Sequence, residues 1–245
     1  DYVKVISKEL DVHGLLNIQF VLRGGVFWII EANPRASRTV PIVSKISKLP
    51  VIDMAVGIAL GERLRDMPYG TGLYPETGQW SVKVPVFSND KLPGLDPKLG
   101  PRMMSTGESL GVADNLADAI MDGLKGSGWL PPATGRILMS IADSEKAEAM
   151  PVASQYKMLG WEIDATEGTA AYLKKWGIEV NRVERAELVR RLRGGEWDLV
   201  LNIPGGNERH MADGAMIRKQ ACSAGTPCLH SIAAAWAVAA GLNSR

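Results

Sequence analysis

Asn17-Ile18-Gln19-Phe20-Val21-Leu22-Arg23-Gly24-Gly25-Val26-Phe27-Trp28-Ile29-Ile30-Glu31-Ala32-Asn33-Pro34-Arg35 places two runs of β-branched, aromatic and aliphatic residues around a Gly-Gly pair. Such a pattern predicts a β-hairpin. Glu31 and Asn33 lie two residues apart, so they share a face wherever the chain stays extended. Gln19 joins them if the turn is centred on Gly25, which pairs Gln19 with Glu31 and Asn17 with Asn33. One carboxylate and two amides then converge, a set of oxygen ligands suited to a hard cation such as Mg²⁺. Arg35 adds a fork of donors suited to phosphate, and Pro34 fixes the backbone where the strand ends. Spacing alone leaves a second reading open, in which Glu31 and Arg35 form a structural ion pair and Gln19 caps a strand edge.

Around the hairpin the first part of the chain mixes helix and strand. Tyr2 to Leu10 carries apolar residues at Val3, Ile6 and Leu10 and reads as a short helix. Val40 to Lys48 and Val51 to Leu60 read as two helices separated by Pro50 and ended by Gly61. Residues 66–79, with Pro68, Gly70, Gly72, Pro75 and Gly78, read as an irregular loop. Trp80 to Phe87 reads as a strand that Pro85 confines to an edge or a bulge. Asn115 to Lys125 is expected to be helical, with Asn115 as its N-cap.

Gly126-Ser127-Gly128-Trp129-Leu130-Pro131-Pro132-Ala133-Thr134-Gly135 is the clearest linker. It sets expected domains at 1–130 and 131–245. Beyond it strands are expected at Arg136 to Ile141, Trp161 to Ala165, Ile178 to Val183, Trp197 to Asn202 and Pro227 to His230, with helices between them and after the last. Pro151 should kink the first of those helices or mark a late start. Alternation of this kind implies a doubly wound parallel sheet, so the fold class is α/β, with an α+β part ahead of it. Ligands of open α/β sheets bind at the carboxyl ends of strands. Here those ends carry Asp143 to Lys146, Asp164 to Thr169 and Asn202 to Asn207. Thr hydroxyls and backbone N–H groups at a helix start make a phosphate seat, and Lys146 adds a point charge. Against this, Thr166 or Thr169 could simply cap a helix while Lys146 stands in solvent.

Gross composition narrows the class. A hydrophobic share of 46% and a charged share of 22% over 245 residues suit a globular chain of one large or two modest domains. A net charge of +1 gives no footing for nucleic acid or an anionic membrane. No apolar run approaches a membrane span. Two cysteines, Cys222 and Cys228, without clustered histidines argue against a zinc site and for a reducing compartment. The chain opens at Asp1 on what reads as the tail of a helix, so a fragment is expected.

Gln19, together with the run Glu31-Ala32-Asn33-Pro34-Arg35-Ala36-Ser37-Arg38-Thr39-Val40-Pro41, closely resembles the metal and ATP end of an ATP-grasp domain. The specific likeness is to the second, carbamate-phosphorylating half of carbamoyl phosphate synthetase large subunits. Ser81 to Phe87 and Leu99 to Gly111 resemble the same family, whose halves carry a similar GP-x-M-x-STGE signature. Residues 136 to 240 resemble its methylglyoxal-synthase-like regulatory domain. The resemblance implies an ATP-dependent ligase using glutamine-derived ammonia and bicarbonate, with ATP as substrate. Mg²⁺ or Mn²⁺ would sit on Gln19, Glu31 and Asn33; Gln19 and Glu31 would also serve ATP, and Arg35 would meet phosphate oxygens. It further implies a nucleotide effector, UMP or IMP, on Lys146, Thr166, Thr169, Arg182 and Asn202. The implied setting is cytoplasmic pyrimidine and arginine biosynthesis, with a small glutaminase subunit as partner and an oligomeric parent. The rest of the ATP pocket, with its phosphate-covering loop, is expected upstream of Asp1. The chain departs from the pattern at Ile203, where a Thr often follows the Asn, and at Glu184 to Glu187, which replaces a longer EGRP stretch. His230-Ser231 stands where two Thr are common, and Val84 stands where ornithine-responsive relatives carry Glu. Two other functions stay open from the residues: a non-catalytic module for a phosphorylated ligand, and a methylglyoxal-synthase-type lyase using Asp164 or Asp143 as base.

Overall fold

A computed structural model describes residues 1–87, 96, 98, 105–205 and 208–244, the side chains of 208–210 apart. The chain divides into two compact units, Asp1–Gln79 and Trp80–Arg245.

In the first unit, helix α1 spans Tyr2–Glu9, and strands β1 (Asn17–Arg23) and β2 (Val26–Asn33) form an antiparallel pair. Gly24 and Gly25 both have left-handed φ, +57° and +78°. This is the two-residue turn whose twist suits a hairpin. From that turn Arg23 pairs with Val26 and Phe20 with Ile29. The register then shifts between Gln19 and Phe20, so that Gln19 faces Glu31 and Asn17 faces Asn33. Ile30 is the extra residue of a bulge. The turn is therefore centred between Gly24 and Gly25, not on Gly25, and the bulge restores the expected pairing at the polar end. Helices α2 (Thr39–Ser47) and α3 (Val51–Ala59) follow, then the irregular stretch.

The second unit opens with β3 (Trp80–Val86), paired antiparallel with β4 (Gly107–Ala113), and helix α4 (Leu116–Gly126). Pro85 sits opposite Glu108 in this two-stranded sheet. Asn115 caps α4 by accepting the Asp118 N–H at 2.9 Å. Strand β4 was not expected from the sequence, because Gly107, Ser109 and Gly111 are poor strand formers. Its small residues serve packing. A Cβ on Gly111 would fall 1.9 Å from the Ala119 carbonyl oxygen, so α4 lies backbone against backbone on β4. Residues 100–104 of the expected signature lie outside the described residues.

The remaining elements are β5 (Arg136–Ile141), α5 (Lys146–Met158), β6 (Glu162–Thr166), α6 (Glu167–Lys175), β7 (Asn181–Val183), α7 (Arg185–Arg193), β8 (Leu199–Ile203), α8 (Glu208–Ser223), β9 (Cys228–Leu229) and α9 (Ile232–Asn243). The sheet is parallel throughout, in the order β7-β6-β5-β8-β9. The chain starts at the central strand, moves out through β6 and β7, then crosses to β8. The gap between β5 and β8 is thus the switch point where such sheets open a crevice. Helix α5 runs through Pro151 instead of starting late. Helix α6 begins at Glu167, and Gly177 with φ +76° follows its end.

The core lies on both faces of this sheet. Ile137, Met139, Leu199 and Leu201 are fully buried, and the Tyr156 and Trp161 rings meet edge to face at 5.4 Å. Ile120, Met121 and Leu124 of α4 belong to the same cluster as Val238, Ala239 and Leu242 of α9. By packing, residues 80–126 therefore go with the parallel sheet, whereas the linker pattern drew its boundary at 130/131. That linker is itself tied down, since Trp161 Nε1 donates to the Ala133 carbonyl at 3.2 Å.

Candidate functional site

Two clusters carry the chemistry. On the hairpin, Gln19 Nε2 donates to Glu31 Oε1 at 2.9 Å and Asn33 Nδ2 donates to the same oxygen at 2.8 Å. The three residues the sequence singled out do converge, and the bulge at Ile30 is what aligns them. Arg35 is exposed and donates Nη1 to the Ala36 carbonyl at 3.0 Å, so its bond runs along its own loop and not to Glu31. Both amides present nitrogen to the carboxylate. A cation held here would take the amide oxygens after each amide turns about its last side-chain bond. Among the described residues no group of three His, Cys, Asp or Glu side chains is placed to hold a metal ion. One carboxylate with two amides nevertheless fits a hard divalent ion whose remaining shell is water and phosphate.

The second cluster is a cavity of about 350 Å³ at the carboxyl ends of β5, β6 and β8, beside the switch point. Lys146, Thr166, Thr169 and Asn202 all line it. Lys146 opens α5, donates Nζ to the Gly168 carbonyl at 2.8 Å and pairs with Asp143 at 2.5 Å. A Cβ on Gly168 would come within 3.1 Å of Nζ, so glycine keeps this seat open. Thr166 holds the N-cap position of α6 without using its hydroxyl as a cap. The buried Thr169 hydroxyl accepts from the Ile141 backbone N–H at 3.0 Å, pinning α6 to the end of β5. Asn202 accepts from Arg218 Nη1 at 2.8 Å.

Two sequence-based placements change. Arg182 does not line the cavity; its guanidinium is exposed and held by Glu184 and by Glu167, the latter at 3.0 Å. These carboxylates raise its pKa. The basic residue at the rim is Arg185, which opens α7 and bonds Asp213 at 2.6 Å. A start of helix directly after a strand was the available signal for it. Asp164 is no base facing the cavity. It is buried mid-strand and accepts from Arg191 at 2.7 Å, Trp197 Nε1 at 3.0 Å and Asn181 at 3.1 Å. Of the expected Asn202 to Asn207 segment, residues 206 and 207 lie outside the described residues.

Residues 2–67 match the family described as carbamoyl-phosphate synthase L chain, ATP binding domain, and residues 148–230 match the MGS-like domain. A carbamoyl phosphate synthase large chain of Lachnoclostridium phytofermentans is 38% identical over 249 residues, covering 100% of this chain and 23% of that protein. Along its whole length the chain matches one region of the carbamoyl phosphate synthase large chains. The corresponding protein of Clostridium botulinum strain Kyoto is 42% identical, covering 90% of this chain and 21% of its own length. That of Thermoanaerobacter sp. strain X514 is 39% identical, over 95% and 22%. The chain spans under a quarter of the length of these curated relatives. Within this large-chain region the Glu31 cluster falls in the ATP-binding match. Thr166, Thr169 and Asn202 fall in the MGS-like match, and Lys146 precedes it by two residues. Among the described residues no helix is long and apolar enough to cross a membrane.

Proposed function

We propose that this chain supplies two parts of a cytoplasmic, glutamine-dependent carbamoyl phosphate synthase. One is a metal and ATP wall for phosphorylating carbamate; the other is a receptor for a phosphorylated effector. Convergence of the Gln19 and Asn33 amides on one Glu31 oxygen carries the first part, because nothing in a plain hairpin demands three polar side chains at one point. Gln19, Glu31 and Asn33 would hold Mg²⁺ or Mn²⁺, which when bound neutralises charge on phosphate oxygens. Glu31 supplies the only carboxylate, the amides hold its orientation, and Arg35, unpaired with Glu31, is available to phosphate oxygens. Ammonia would come from a smaller glutaminase subunit. Gln19 and Glu31 are exposed, whereas phosphoryl transfer requires positioning from several sides at once. The chain by itself is therefore expected to form no ATP from ADP and carbamoyl phosphate.

Glu31→Gln in a full-length synthase tests this part. It keeps side-chain size and removes the charge, so turnover should fall by about two orders of magnitude or more with the fold retained. Near-normal turnover at limiting Mg²⁺ would make Glu31 structural. The effector reading rests on the four residues gathered in the switch-point cavity, and UMP or IMP are the expected ligands. The lyase alternative loses Asp164 as its base, since that carboxylate is buried and spent on three donors; Asp143, at the cavity and paired with Lys146, is the one candidate left to it.

A further inference from the structure

Arg218 is the most deeply buried arginine among the described residues, 3% exposed, and no part of the mechanism so far uses it. Its guanidinium divides two ways. Nε and Nη2 clasp both Asp96 carboxylate oxygens at 2.7 Å each, while Nη1 donates to Asn202 Oδ1 at 2.8 Å. The Lys98 backbone N–H adds a bond to Asp96 at 3.1 Å. Burial raises the Asp96 pKa, yet the Arg218 fork and the Lys98 N–H outweigh it and hold the carboxyl below its ordinary value. Asp96 is thus a charged anchor, and the arginine between Asp96 and Asn202 has no slack, because a planar fork fixes direction as well as distance.

The consequence falls on Asn202. An asparagine amide has two faces of similar size, one accepting and one donating, and its neighbours decide which way it turns. With Oδ1 committed to Arg218, Nδ2 is left on the other side, where among the described residues it meets the Ser140 carbonyl at 3.5 Å. Gly214 allows this close approach, since a Cβ there would lie 3.0 Å from Arg218 Nη1 and 3.2 Å from Asn202 Oδ1. We propose that Arg218, anchored by Asp96, is a positioning residue for the cavity: it fixes Asn202 as a donor, so the ligand group received there is an acceptor oxygen of a phosphate or a carbonyl. This rests on the reading of the cavity as a ligand site. It adds that a residue outside the cavity, Asp96, sets what the cavity recognises.

The test uses the full chain and two readouts. Asp96→Asn keeps size and removes charge, and Arg218→Lys keeps charge but lacks the fork; thermal midpoints confirm that each variant folds. In ligand-free protein the Asn202 side-chain ¹⁵N–¹H₂ resonances are expected to move in both variants while the backbone resonances of Leu199 and Val200 stay. By calorimetry with UMP and inorganic phosphate, Asp96→Asn is expected to weaken binding about three- to tenfold, the scale of one hydrogen bond. In the Asn202→Ala background the same substitution should have no further effect. Additive losses would overturn the proposal, as would tighter phosphate binding by Asp96→Asn, which would make Arg218 a direct anion contact released from its partner. If the wild type bound neither UMP nor phosphate, the ligand site itself would fall. Unmoved Asn202 resonances would instead overturn the positioning role alone.

Discussion

Residues 1–79 bury no apolar side chain, whereas Trp80–Arg245 packs a continuous core on both faces of a parallel sheet. In the first unit Leu22, Trp28 and Ile30 stand 61% exposed; in the second Trp161, Tyr156 and Leu201 are no more than 1% exposed. The two candidate sites inherit this contrast. The Glu31 cluster needs only a tight turn, a bulge and two strands, so local hydrogen bonds assemble it on an open surface. The cavity needs the ends of three parallel strands held in register, and only a packed sheet supplies that.

The largest effect expected from this contrast is on stability. Trp161→Ala should cost about 3–5 kcal/mol, the scale for emptying a buried aromatic site. Trp28→Ala should cost no more than about 0.5 kcal/mol, as for other exposed substitutions. Urea unfolding read by hydrogen exchange would separate the units, and equal costs at the two tryptophans would break the comparison. Next comes Asp164→Ala, expected to cost roughly 3 kcal/mol because it removes the buried acceptor shared by Arg191, Trp197 Nε1 and Asn181 and leaves the Arg191 guanidinium with Glu196 alone. Asp164→Asn should restore part of that loss by keeping a hydrogen bond to Trp197. A smaller effect is expected with pH. The folded pKa of Asp96 lies below the usual 3.8, so its contribution is complete above that value and is lost as pH falls through the folded pKa. Acid unfolding of the wild type should therefore show a limb below about pH 4 that Asp96→Asn flattens.

Much of the fold was legible because periodicity is a local property. The Gly24-Gly25 turn, the Asn115 cap and the alternation after Arg136 each announce themselves within a few residues. Strand β4 did not, since Gly111 is chosen for its distance to Ala119, a contact absent from any local pattern. The bulge at Ile30 was equally silent, yet it decides whether Gln19 meets Glu31 or the residue before it. At the cavity, Lys146, Thr166, Thr169 and Asn202 were legible from strand-end position and from resemblance to the synthetase regulatory domain. Arg182 was misplaced because resemblance gives a position in the chain but not the carboxylates that turn the side chain away. Arg218 was missed because its partner Asp96 lies 122 residues distant.

The central claim is that the packed unit carries a working phosphate site by itself. Calorimetric titration of this chain with UMP and with uridine, repeated on Lys146→Ala, measures it directly. UMP is expected to bind and uridine to bind far more weakly, and Lys146→Ala is expected to remove about 1–3 kcal/mol of the UMP affinity, the value of a charge-assisted hydrogen bond. Equal binding of UMP and uridine, or UMP binding untouched by Lys146→Ala, would contradict it.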